Sequence, residues 1–363
     1  GGVLDVTVSV DDPAVGITPD DSESMRIMVA VGEFTDGQSR VTIYDLDGPL
    51  DTSMDDIDVK FGGPGEIKKI RFDGEQGMGG LGIVIQGAEG VGKIQDKRDD
   101  PLDIAFIGAE GAIGKLDLRS GMQGFNLNGV TIDGKTAPDD LDGDGDDSDH
   151  TAVVVNGPLS KFRTRGTVNG DVLVWGRDRR DMAIQKLQFK DGGYHGDMVL
   201  EGNARKLQFQ GDFGSTLLVQ GDLGKLQVKG GDLSAQIEVD GLLGKVHVKS
   251  ARGVGGAFLE EGELSIHGGE GGRSLTKFKT QGDFLGELTP AGGLRKLQVK
   301  NGDLCGTVDI GGHLRNCKID GSALGARLEA NGELRKVKVK GDFTDSDIEA
   351  GGLHRVQING VAV

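Results

Sequence analysis

The sequence is short of several things, and each shortage excludes something. Aromatic residues make up only 4% of it, and Trp175 is the single tryptophan. That argues against a broad globular core built on aromatic anchors. Cysteine occurs twice, as Cys305 and Cys317, too few for a disulfide framework or for the about four ligands of a structural zinc site. The pair reads as small apolar fillers, because Cys317 falls where neighbouring repeats place Leu297 and Val337; a single disulfide between them stays open. No apolar run approaches the ~18 residues of a membrane span. Positive charge is in deficit, 41 Lys and Arg against 58 Asp and Glu, for a formal net charge of −17. Nucleic acid and anionic membrane both select clustered Lys and Arg, so neither is expected as a partner.

What the sequence does have is glycine, 65 of 363 residues, about 18% against a usual ~7%. No Gly-X-Y period runs through it, so collagen is excluded. From about residue 184 the chain repeats itself. Lys186-Leu187-Gln188-Phe189 recurs as Lys206-Leu207-Gln208-Phe209, Lys225-Leu226-Gln227-Val228 and Lys245-Val246-His247-Val248. After an insertion it resumes at Lys277-Phe278-Lys279-Thr280, Lys296-Leu297-Gln298-Val299, Asn316-Cys317-Lys318-Ile319, Lys336-Val337-Lys338-Val339 and Arg355-Val356-Gln357-Ile358. The step is ~20 residues, a solenoid period, and glycine at nearly every tenth position excludes helices.

Each unit holds two short strands. A Gly-Asp-Leu turn, as at Gly221-Asp222-Leu223 and Gly302-Asp303-Leu304, separates the first from a second such as Ile237-Glu238-Val239 or Val308-Asp309-Ile310. Alternation sends Leu226 and Val228 inward and Lys225, Gln227 and Lys229 outward. Looser copies run upstream, at Lys69-Ile70-Arg71-Phe72, Gly87 to Ile94, Gly108 to Leu116 and Lys161-Phe162-Arg163-Thr164. The fold class expected is all-β, a single-chain parallel β-solenoid of about a dozen coils stacked at ~4.8 Å, which makes a rod on the order of 60 Å. Residues 1–62 form a β-rich N-terminal cap or module, 63–133 irregular coils, 134–150 an acidic insertion and 151–363 the regular solenoid.

The string Gly-Asp-Leu-Gly-Lys-Leu-Gln-Val-Lys-Gly-Gly-Asp-Leu at 221–233 resembles the Gly/Asp-rich β-solenoid repeats of large bacterial secreted and cell-surface proteins. The resemblance covers roughly residues 64–363. A more distant similarity is to the filament-forming bactofilins, which lack the acidic insertion. The resemblance implies a surface or structural role and carries over no catalytic residue.

Chemistry-bearing motifs are few. Asp140, Asp142 and Asp144 with Gly145 match positions 1, 3, 5 and 6 of an EF-hand loop, and Asp146 offers its backbone carbonyl. Position 12 is Thr151 rather than Glu, so Asp147 or Asp149 completes the set. The expectation is a structural calcium ion, held weakly, on the order of 10⁻⁴ to 10⁻³ M; the alternative is a solvated acidic loop. Gly87-x-x-x-x-Gly92-Lys93 imitates a phosphate loop but places Ile94 where Ser or Thr must bind Mg²⁺, and no helix follows. Six scattered histidines make no ligand spacing. Acidic residues are spread rung by rung without an aromatic platform for sugars, so a polysaccharide lyase or hydrolase is the lesser alternative and the chain is read as no enzyme.

Charge, finally, is sorted by strand. Lys225, Lys229, Lys296, Lys300, Lys336, Lys338 and Lys340 lie outward on the first strand, and Glu201, Glu238, Asp240, Asp309, Glu329 and Glu349 on the second. Lateral packing of basic against acidic faces is expected from this. Val356 to Val363 keeps a strand pattern without a polar cap, which points to end-to-end stacking of copies. The opening Gly1-Gly2-Val3 carries neither initiator methionine nor signal peptide, and the expectation drawn is a processed, secreted protein at the cell surface. The reading is thus a self-assembling filament or surface-layer subunit. An adhesin or polysaccharide-binding rod is the alternative.

Overall fold

The computed structural model describes residues 4–10, 25–30, 38–45, 57–62, 66–74, 81–86, 90–96, 104–109, 111–119, 122, 131–132, 135–136, 151–176, 181–190, 193–251, 253, 255–269 and 271–362. The chain is all-β, without a helix among these residues, its parallel strands stacked as a β-solenoid of about 11 turns. It divides into two compact units, one of residues 1–177 with 183–192, the other of 178–182 with 193–363.

In the second unit every coil gives one strand to each of two parallel sheets. The first sheet stacks Leu207–Gln210, Leu223–Lys229, Leu243–Lys249, Arg273–Thr280, Leu297–Val299, Cys317–Ile319, Val337–Val339 and Val356–Ile358. The second stacks Met198–Glu201, Leu217–Val219, Gln236–Val239, Glu263–Ile266, Glu287–Pro290, Thr307–Ile310, Arg327–Leu334 and Asp347–Leu353. Repeats pair in register, Leu226 beside Val246 and Val228 beside Val248, so each inward column is a row of like residues.

One coil shows why this sequence makes this shape. Leu223, Leu226, Val228, Leu233, Ile237 and Val239 point into the core and are at most 2% exposed. Five of them lie in the two strands, three in the first sheet and two in the second. Leu223 opens its strand at one corner, and Leu233 comes from the other, where isolated parallel bridges such as Phe213 to Leu233 to Phe258 continue the stack. Each such side chain contributes about 1.5–3 kcal/mol by leaving water, but only once the next coil covers it. The few aromatics occupy these columns too. Phe258, Phe278 and Phe284 cluster with ring centroids 5.0 to 5.4 Å apart.

The corners also explain the Gly-Asp-Leu motif. The Asp carboxylate accepts a hydrogen bond from a backbone N–H of the following coil: Asp212 from Asp232 (2.8 Å), Asp283 from Asp303 (2.8 Å) and Asp303 from Ser322 (2.6 Å). Ser322 Oγ then accepts from Asp342 N–H (3.1 Å), and Asp342 from Val361 N–H (2.8 Å). At the other corner Asn203 accepts from Asp222 and Asp222 from Leu242. These side chains satisfy N–H groups that the sheets leave without partners where the chain turns. Glycine precedes them for lack of room: a Cβ on Gly231 would lie 2.1 Å from the Gly211 carbonyl carbon.

In the first unit Leu4–Val10 pairs antiparallel with Met25–Ala30 and parallel with Glu66–Gly74. Parallel stacking continues through Ile94–Asp96, Ala112–Asp117, Leu159–Thr164 and Met182–Phe189. The companion sheet begins with Gln38–Asp45, antiparallel to both Ile57–Gly62 and Leu81–Gln86. It becomes parallel through Ile104–Ala109, Thr151–Asn156 and Asp171–Trp175.

Candidate functional site

The chemistry of the second unit lies on the outward faces of its two sheets. On the first sheet Lys225, Lys245 and Lys277 stand in one column, and Lys229 beside Lys249 in another. Between them runs Gln208, Gln227, His247, Lys279, Gln298, Lys318, Lys338 and Gln357. Neighbouring coils place like charges about 4.8 Å apart, an arrangement that costs stability. Gln227 is only 8% exposed, so the middle of this face is more enclosed than alternation alone predicts; its Oε1 accepts from Lys225 Nζ at 2.7 Å.

His247 lies at the centre of the basic face. Neither ring nitrogen has a hydrogen-bond partner, and both atoms are out of contact with solvent. Burial first, and then the charges of Lys277, Lys225, Lys249 and Lys279, push its pKa down to about 4. Burial and lysine neighbours likewise hold the ammonium groups of Lys225, Lys277 and Lys279 below their usual range. Among the described residues of this face, relief by a carboxylate comes toward the later coils. There Asp320, a carboxylate in the lysine field, bonds Lys318 Nζ at 2.8 Å and Lys340 Nζ at 2.7 Å. Its burial opposes ionisation, but the two ammonium groups outweigh that and keep the carboxyl below its ordinary range.

The second sheet is acidic but mixed. Asp309, Glu329 and Glu349 form one column, and Glu263 beside Glu287 part of another. Glu263 and Glu287 join the sequence-predicted Glu238, Asp240, Asp309, Glu329 and Glu349; the alternation of Glu263–Ile266 and Glu287–Pro290 was the signal for them. Arg327 interrupts the face and is paired with Glu329 (2.6 Å). Across the insertion, His267 Nε2 meets Glu238 Oε1 at 2.9 Å, with Asp240 in the same group, all ligand atoms within 4.8 Å of one another. Sequence spacing hid this cluster, because the insertion lengthens the step between those coils. As it stands it is a hydrogen-bonded pair at the surface.

The other sequence-predicted groups separate cleanly. Asp140, Asp142, Asp144, Asp146, Asp147 and Asp149 lie outside the described residues, as does His150. Cys317 is buried between Leu297 and Val337 in an inward column, its thiol pushed up to about 12 by burial. Cys305 and Cys317 are both free thiols. Lys93 precedes the strand Ile94–Asp96 within a parallel coil. No protein-family model matches the chain, and neither a curated protein nor a solved structure was found to match it.

Proposed function

We propose that this chain is a structural, self-associating β-solenoid, the subunit of an extracellular filament or surface layer. The observation that carries the reading is the pair of faces on the second unit. One presents lysines stacked in register with no ion pair among the described residues at Lys245, Lys249, Lys277 and Lys279; the other presents carboxylates in the same coil repeat. Like-charge ladders are unfavourable in an isolated chain, and an acidic ladder of equal spacing on a second copy relieves them. End-to-end stacking belongs to the same reading. The inward columns run on into the last described coil, where Leu353 is 53% and Val356 37% exposed, and any further coil that stacks there extends them. Calcium at residues 140–149 rests on ligand spacing and serves to order that segment.

Electron microscopy of the purified chain, with millimolar calcium and with chelator, at low and high salt, tests this. Filaments or sheets that dissolve as salt rises support lateral packing, and their loss in chelator makes calcium an assembly factor. Single particles under every condition overturn the reading. A second reading is favoured by the same lysine field: an acidic polysaccharide lying along the first sheet. It is recognised by glycan affinity of a chain that stays monomeric.

A further inference from the structure

A different feature of the second unit points to a small-ligand site. At the corner that leads into the first sheet, the inward leucines Leu275, Leu294, Leu314, Leu334 and Leu353 stack. The residues that follow three of them are Arg295, Arg315 and Arg335, on successive coils about 4.8 Å apart, all exposed. The residues that precede the same leucines are Gly293, His313 and Glu333. On the Arg335 coil the preceding Glu333 neutralises the arginine, Nε to Oε2 3.3 Å. On the Arg295 and Arg315 coils that position holds glycine and histidine, and neither guanidinium has an ion pair among the described residues.

The insertion that interrupts the regular repeat makes the difference spatial. Its second part adds Gly271, Gly272 and Arg273 beside Gly293, and these with Leu294, Arg295, His313 and Arg315 enclose a recess of about 360 Å³. That is within the range of small-ligand pockets, roughly 300–1,000 Å³. Three arginines line it and no carboxylate does among the described residues. His313 adds a fourth donor. Its Nδ1 accepts the Glu333 backbone N–H at 2.7 Å, so the proton of the neutral ring sits on Nε2. The polar lining side chains are thus all donors, and guanidinium forks match the geometry of planar and tetrahedral oxyanions. The recess is at a corner, apart from the two charged sheet faces, and does not depend on how copies assemble.

We infer that the recess formed by Arg273, Arg295, Arg315 and His313 binds an oxyanion group, carboxylate, sulfate or phosphate, of a small acidic ligand. The shared chemistry leaves two sources, a free inorganic anion or an acidic sugar unit, and two probes separate them. Calorimetric titration of the full chain is run with inorganic phosphate and with a uronic-acid trisaccharide at fixed ionic strength. Saturable binding of either probe, weakened tenfold or more in Arg295→Gln and Arg315→Gln, supports the site, and the tighter probe names the source. Arg335→Gln, whose guanidinium is already paired, and Lys279→Gln, on the sheet face, are expected to change the affinity less than twofold. Arg315→Lys keeps the charge but loses the fork and is expected to fall in between. Equal weakening by all these variants would show a diffuse charge effect and overturn the site, as would the absence of saturable binding of both probes. Thermal unfolding of each variant, unchanged within about 2 °C in controls, separates lost binding from lost fold.

Discussion

A pair of neighbouring strands in the first unit and one strand in the second belong to the same sheet of the coil and have opposite surroundings. In the first unit Ala152, Val153, Val154 and Val155 are all fully buried, and so are Val172, Leu173 and Val174 on the adjacent strand. Successive side chains face opposite sides of a sheet, so both faces of these strands are covered. In the second unit Gln236–Val239 alternates exposed and buried, with Ile237 and Val239 inside and Gln236 and Glu238 outside. A parallel strand covered on both faces reads as a continuous apolar run, and one with a wet face alternates. The lesson is about where charge can be carried. The alternating coils present outward ladders to solvent, with lysines predominating on one sheet and carboxylates on the other.

The comparison makes its strongest prediction at its covered face. Val154→Lys puts an unpaired ammonium into a fully buried position and is expected to cost about 4 kcal/mol or more. Gln236→Lys, at an outward position of the second unit, is expected to stay within about 0.5 kcal/mol. Denaturant unfolding of both measures the contrast, and equal effects would break it.

Next in size is the corner ladder. Asp303→Ala leaves the Ser322 N–H without its acceptor and is expected to cost about 1–3 kcal/mol, whereas Asp309→Ala, at an exposed position of the strand Thr307–Ile310, should cost little.

Equivalent threonines sharpen the difference between units further. Thr164 and Thr280 close the matching segments Lys161 to Thr164 and Lys277 to Thr280, both fully buried. Thr164 Oγ1 donates to the Gly166 carbonyl at 3.3 Å, while Thr280 Oγ1 has no partner. Thr280→Val, matching its column neighbour Val299, is expected to raise stability by about 1 kcal/mol and Thr164→Val to give no gain.

The last effect appears only in acid. Burial and the surrounding lysines lower the His247 pKa to about 4 in the folded chain, against the ordinary imidazole value of 6.5 when unfolded, so the unfolded chain takes up the proton first. Its contribution is fully present above about pH 6.5 and is lost as pH falls from there toward 4. His247→Gln, the residue its column neighbour Gln227 already has, should flatten the stability profile in that window and leave it unchanged above pH 7.

Much of the fold was legible because a repeat writes each rule many times. Leu226 and Val228 inward, Lys225 and Lys229 outward, and Cys317 in a leucine column all follow from period and alternation. The Gly-Asp-Leu turn was legible as a turn, but the task of its aspartate was not. Asp303 bonds a residue 19 positions on, and only stacking brings the two together. The clusters that depend on the insertion stayed hidden for the same reason. His267 reaches Glu238, and Arg273 joins Arg295 and Arg315, through coil steps that the regular period does not give. The double burial of Ala152 to Val155 was written as an unbroken apolar run, yet what a run implies for its second face depends on its neighbours.

The most direct test of the central claim is a charge exchange between faces. One variant carries Lys245→Glu, Lys277→Glu and Lys279→Glu on the first sheet; a second carries Glu263→Lys, Glu329→Lys and Glu349→Lys on the other. Light scattering follows each alone and both mixed at low salt. If opposite faces bind copies to one another, each variant alone assembles less than the parent chain. The mixture then recovers assembly by joining the lysine-bearing acidic sheet of one to the glutamate-bearing basic sheet of the other. Assembly of both single variants at the parent level, or a mixture no larger than its separate components, would contradict it.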